Sequence, residues 1–204
     1  MTSTKNLKSD THANPLTITY AEPAALGLIG LAVAALLLGS ADLGLTAAHS
    51  KSLLIPWILF FGATAQLIAG LVEFKRNNVF GATVFSTYAM TMYAIAFTLL
   101  ITLFTDVTTD ISHYAYGLIG ILFFSLIATV ASLLTNKALF SILIAVDLAV
   151  ILLIPHYLSG FSSVPAGIFL MITSVLSFYT STAILLNTMT GRCILPLGLS
   201  LIHI

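Results

Sequence analysis

The chain is 204 residues long, 59% hydrophobic and only 7% charged, with a mean hydropathy of +1.09. Soluble domains carry about one quarter charged residues, so this composition reads as an integral membrane protein. Seven Lys and Arg balance seven Asp and Glu, which excludes the basic face that nucleic acid requires, and the single cysteine, Cys193, leaves no intramolecular disulfide.

The first residues, MTSTKNLKSDTHANPLTITY, are polar and lack an apolar core for a cleaved signal peptide, so 1–22 reads as a short tail. A membrane-spanning helix needs about 17–25 largely uncharged residues. Such stretches are predicted over 24–41, 53–73, 79–104, 114–135, 138–155 and 164–187, giving one all-α bundle over 23–190 and a second short tail over 191–204. Pro23 suits a first helical turn, with Glu22 before it as a cap, and Pro155 and Pro165 punctuate the last two spans. An even number of spans puts both termini on one side. That side then holds Lys5, Lys8, Lys75, Arg76, Lys137 and Arg192, against Lys51, Asp106 and Asp110 on the other. The positive-inside rule places both tails in the cytoplasm of a cell with this protein in its plasma membrane.

Within the second span, Gly62, Gln66, Gly70 and Glu73 are spaced four, four and three apart and form one stripe on a helix. Glycines on such a stripe let another backbone come close, and a Gln66 amide at bilayer depth needs a partner. The stripe suits a protein interface or a polar path and not a lipid-facing surface. Glu73 also sits beside Lys75 and Arg76, where an interfacial ion pair explains it as well.

A repeat is legible. Leu26, Gly27, Leu28 and Gly30 open the first span, and Gly117 and Gly120 recur at the start of the fourth; Val84-x-Ser86-x-Tyr88 is echoed by Val175-x-Ser177-x-Tyr179. Chance recurrence in apolar sequence is one reading. A duplication of three helices is the other, and an odd number of spans inverts the second copy in the membrane. The two glycine-rich helix starts then enter from opposite faces and offer partial positive charge to a small anion.

Asp147 lies mid-span among apolar neighbours, where a charge costs about 2.5–3.5 kcal/mol. It is either a neutral group tied to a hydroxyl on another helix or a proton-exchanging group on a permeation path. A fixed negative charge repels an anion, which favours the protonated form. Tyr88 is deep enough to need a hydroxyl partner, as a packing residue or as part of a path. His49, His113 and His156 fall at helix ends, and His12 and His203 in the tails. No nucleophile–base pair, phosphate loop, metal cluster or other cofactor signature is present, so neither an enzyme nor a cofactor protein is expected.

The run Gly62-x-x-x-Gln66-x-x-x-Gly70-x-x-Glu73-Phe74-Lys75, followed by Asn78-x-Phe80-Gly81-x-Thr83-x-Phe85-x-x-Tyr88, resembles the acetate uptake transporter family, which contains bacterial succinate–acetate permeases and fungal acetate carriers. Pro23-Ala24-x-Leu26-Gly27-Leu28-x-Gly30 is similar to its first-helix signature, and Gly191-Arg192-x-x-Leu195-Pro196-x-Gly198 to its ending. The resemblance implies a six-helix protomer in a homohexameric ring in the lipid bilayer, each protomer with its own pore for small monocarboxylates. It implies a hydrophobic constriction, onto which Leu31, Tyr88 and, within a residue, Val146 fall, with Asp147 beside it. Two features depart from the pattern. Glu22 replaces the usual asparagine and Ala25 the second proline, and a glutamate there repels acetate unless protonated or paired. The smaller Leu31 and Val146 widen the pore.

The leading expectation is a transporter or channel for acetate and related short carboxylates, succinate included, with Asp147 and Glu22 as the groups able to couple it to protons. A neutral-solute channel for urea, amides or ammonia is the alternative within transport. A membrane assembly partner that moves nothing is the alternative outside it.

Overall fold

The computed structural model describes residues 19–46, 48–106 and 110–202, the side chains of residues 48–50 excepted. The readings made for Lys5, Lys8, His12 and His203, and for the His49 side chain, lie outside what is described. Among the described residues, six helices are long and apolar enough to cross a membrane. The first is α1 (Ala24–Asp42). The second is composite: a 3-10 turn (Ala48–Leu53), α2 (Leu54–Trp57), a π-helical segment (Ile58–Ala65) and α3 (Gln66–Lys75). Then come α4 (Val79–Phe104), α5 (Ser112–Ser132), α6 (Lys137–Ser159) and α7 (Val164–Thr190). We call the end of the bundle where α1 starts and α7 stops proximal, and the opposite end distal.

Local chemistry explains most boundaries. Asn78 accepts the Gly81 N–H and starts α4, and Asn136 accepts the Leu139 N–H and starts α6. Asn77, at φ +57°, turns the chain between α3 and α4. The fifth span runs past the predicted stop at Pro155. The ring sits just before the last turn, where the loss of one backbone hydrogen bond does not end the helix, and left-handed Gly160 closes it instead.

The helices pack through small residues. Ser163, at the N-cap position of α7, and Ser174 and Ser181 along it donate to the carbonyls of Asp42, Ala32 and Ala25 on α1 at 3.1, 2.8 and 2.7 Å. A serine hydroxyl in an apolar medium needs an acceptor, and these three find it on the neighbouring backbone, so the two helices stay in register. On the other side of α1, a Cβ at Gly30 would stand 2.4 Å from the Phe61 carbonyl oxygen, so the glycine is what lets the second span approach. By contrast α4 and α5, although consecutive, make few contacts with each other.

The π-helical segment accounts for the stripe. Its wider turn leaves carbonyls without their usual partner, and the Gln66 side chain donates to the Gly62 carbonyl at 2.8 Å. Thr64 donates in the same manner to Leu59, and meets the Tyr93 hydroxyl at 3.0 Å. Gly62, Gln66, Gly70 and Glu73 are all buried against α1 and α4. Around them, an outer belt of exposed apolar side chains such as Phe60, Phe97, Phe123 and Ile127 suits contact with lipid.

Candidate functional site: two cavities and the partition between them

Two cavities enter the bundle from opposite ends. The distal one, of about 300 Å³, runs from Asp42 and Lys51 at its rim down past Tyr114 and Tyr157 to Leu31, Tyr88 and Val146 at its floor. The proximal one, of about 360 Å³, is lined by Glu22, Glu73, Asn78, Asn136 and Asn187 at its mouth, and by Phe85, Leu139 and Ile184 deeper in. The floors are separated by little protein. Phe85 faces the proximal cavity and Tyr88 the distal one, and they are three residues apart on α4. On α1 the corresponding residues are Ala24 and Leu31, and on α6 Leu139 and Val146. At 1.5 Å rise per residue, the partition is roughly 5–10 Å thick.

The partition is apolar and tightly packed. Leu31, Tyr88 and Val146 are buried, and Tyr88 packs edge-to-face on Phe124 with centroids 6.0 Å apart. Gly27 belongs here: a Cβ on it would stand 2.4 Å from the Phe85 ring. No Lys or Arg lines it among the described residues.

One polar chain runs behind the partition. The Tyr88 hydroxyl meets Ser125 Oγ at 2.6 Å. Ser125 in turn donates to Asp147 Oδ1, and Thr129 donates to Asp147 Oδ2 at 2.6 Å. Asp147 is 5% exposed and faces α5, so it reaches the cavity floor only through Ser125 and Tyr88. Ser125 and Thr129 lie four apart on one face of α5, the signal in the sequence that finds them. Neither they nor Phe85 stood out there, because Ser and Thr are common in membrane helices and phenylalanine is common in apolar ones.

Other expected residues fall elsewhere. Gln66 is 1% exposed, inside the helix packing, and lines none of the three cavities described. Gly62 and Gly70 receive Ala34 and Met92, and Ser86, respectively. At the start of α1, Leu28 and Gly30 are packed, Leu26 is largely exposed, and the Gly27 N–H already bonds the Pro23 carbonyl. Ala24, Ala25 and Leu26 have no intrahelical acceptor, and Glu22 takes the Ala24 N–H. Because α5 begins at Ser112, Gly117 and Gly120 lie beyond its first turn, with nothing within 4 Å of a Cβ on either. Gly117 instead lines a lateral cavity of about 600 Å³ between α4 and α5, which shares Thr91, Thr98 and Tyr114 with the distal one. At its rim the side-chain and backbone hydrogen bonds from Ser112 hold the Asp110 carboxyl below the usual range.

At the proximal mouth, Glu22 Oε1 accepts the Ala24 N–H at 3.2 Å and its Oε2 lies 2.6 Å from Arg76 Nη1. The C-terminal segment folds back over this end: Asn187 holds the backbone of Ile194 and Leu195, Tyr179 donates to the Pro196 carbonyl, and the Leu197 carbonyl accepts from Ala138. No cluster of His, Cys, Asp and Glu suited to a metal ion occurs among the described residues.

The model of the GPR1/FUN34/yaaH family matches residues 4–198. The chain belongs to that family. Among its relatives is the succinate-acetate/proton symporter SatP of Escherichia coli K12, 28% identical over 183 residues that cover 87% of this chain and 95% of that one. Acetate permease A of Emericella nidulans is 26% identical over 199 residues, 88% of this chain and 66% of the relative. A solved structure described as the bacterial acetate channel SatP superposes with a TM-score of 0.81 at 26% identity, over 88% of this chain and all of that one. This GPR1/FUN34/yaaH member therefore shares both the sequence pattern and the six-helix fold of its relatives.

Proposed function

We propose that the protein moves acetate and related short carboxylates, succinate included, across the plasma membrane. The observation that carries this is the pair of opposed cavities separated by one thin apolar partition, in a chain of this family. Polar mouths hold the carboxyl group of a short acid, and the short apolar neck limits the size of what passes. Labelled acetate uptake by proteoliposomes tests it, at acidic and neutral external pH. Uptake no greater than that of empty vesicles at either pH would sink it.

The relatives are described both as a proton symporter and as a channel. The Tyr88–Ser125–Asp147 chain favours coupling to protons, since a proton gained or lost on Asp147 alters the hydrogen bonding that orients the ring at the neck. The absence of a cation at the neck favours a second reading, passage of neutral solutes such as urea or short amides. Competition between acetate and a neutral solute separates the two.

The working assembly in this reading is a homohexamer, with the open Gly117 and Gly120 face of α5 available to a neighbouring copy. The matching glycine pairs Gly27/Gly30 in α1 and Gly117/Gly120 in α5, three spans apart, support an inverted three-plus-three repeat. Lys75, Arg76, Lys137 and Arg192 at the proximal end support a cytoplasmic placement for it.

A further inference from the structure

The Glu22–Arg76 pair at the proximal mouth has no part in the transport scheme above. Pro23 has no N–H, so Ala24 supplies the first free donor of α1, and Glu22 takes it while also pairing with Arg76. One carboxylate of the chain thus occupies both positive features of the mouth, the helix start and the guanidinium. Its side chain and that of Arg76 are 29% and 30% exposed, so the pair is not locked in the core, and Glu22 lines the cavity.

Glu73 gives a second and independent sign that a ligand belongs here. It lines the same cavity and is 1% exposed, yet its Oε2 has no hydrogen-bond partner and lies 3.8 Å from Arg76 Nη1. A buried acceptor without a donor is costly. A carboxylic acid group satisfies both needs at once: its carbonyl oxygen accepts from Arg76 and the helix start, and its O–H donates to Glu73 Oε2.

We propose that this mouth is a carboxyl-binding site, that Glu22 occupies it as a tethered competitor, and that substrate in its acid form displaces Glu22 from Arg76 on entry. The proposal rests on the transport reading. The charge balance selects the acid form. Glu22, Glu73 and Arg76 face one another with one more negative than positive charge, and Lys75 lies over the Tyr20 ring at 5.4 Å. The α6 and α7 walls contribute the neutral Asn136, Asn187 and Thr188. A neutral acid adds no charge to this group, whereas a free carboxylate adds another negative one.

The test is acetate flux through Glu22→Gln in proteoliposomes, measured separately from each face. The exposed Cys193 at the proximal end reports the orientation of each molecule by maleimide labelling from outside. Expected is a KM for entry at the proximal face roughly two- to fivefold lower than in the wild type, with the distal KM unchanged. A proximal KM that is unchanged or raised, or an equal shift on both faces, overturns the competition. A second measurement needs no variant: acetate should accelerate hydrogen exchange in the backbone of residues 19–22 of the wild type, as Glu22 lets go. Unchanged or slower exchange overturns the proposal. Wild-type protein without acetate flux from either face overturns the transport reading instead, and the exchange measurement still decides the competition.

Discussion

Val146 and Asp147, adjacent on α6, face opposite surroundings: Val146 lines the distal cavity, while both carboxyl oxygens of Asp147 accept hydroxyl hydrogen bonds from α5. The carboxyl therefore acts at one remove, through Ser125 on the Tyr88 hydroxyl. Asp147→Asn keeps an acceptor for one hydroxyl and removes the exchangeable proton. It should leave the thermal unfolding midpoint close to that of the wild type and flatten the dependence of acetate flux on pH. An unchanged pH profile in a folded Asp147→Asn protein would reduce the residue to a structural tie. Asp147→Ala strands the buried Ser125 hydroxyl and the half-buried Thr129 hydroxyl and should destabilise by about 1–3 kcal/mol.

Tyr88 can be divided into its ring and its hydroxyl. Tyr88→Phe keeps the apolar neck and breaks only the bond to Ser125, with an expected loss of about 1 kcal/mol in stability and a selectivity close to that of the wild type. Tyr88→Ala removes the ring from the thinnest part of the partition and joins the two cavities. Flux of carboxylates larger than acetate should rise in that variant, read by uptake of a labelled acid series; no change in the size limit would place the neck elsewhere.

The glycines of α1 and α5 make opposite predictions. Gly30→Ala drives a methyl group into the Phe61 carbonyl, a backbone atom that cannot step aside, and should cost about 1–3 kcal/mol in thermal unfolding. Gly120→Ala meets nothing within the protomer and should shift stability by less than about 0.5 kcal/mol. The bulkier Gly120→Leu should reduce the oligomer observed by native mass spectrometry. An intact assembly would free this face of α5 from the subunit contact.

Gln66→Ala separates an assembly role from an internal one. Its amide closes the Gly62 carbonyl inside one protomer. The variant should lose about 1–3 kcal/mol of stability, read as a lowered unfolding midpoint, with the oligomer retained in detergent. Dissociation without loss of protomer stability would support the assembly reading of the stripe.

The six spans were legible because membrane helices announce themselves by length and the absence of charge; several ends moved by a few residues, α6 among them, where Pro155 looks like a stop but Gly160 is one. Leu31, Tyr88 and Val146 could be placed by resemblance, and they share one cavity floor. The stripe was legible as a periodicity, but not the π-helical turn that gives Gln66 its carbonyl, because backbone widening leaves no residue signature of its own. Nor was the pairing of Glu22 with Arg76, since it joins positions 54 apart in the chain. Sequence spacing reports neighbours on one helix, and both this pair and the Ser125–Asp147 bond are contacts between helices.

The thinness of the partition bears on membrane voltage. Electrolyte entering both cavities carries each bulk potential inward, so the electric field is compressed into the few ångströms between Phe85 and Tyr88 instead of falling evenly across the bilayer. A charged acetate crossing that septum meets nearly the entire potential in one step, about 2.3 kcal/mol per 100 mV, whereas the acid crosses without feeling it.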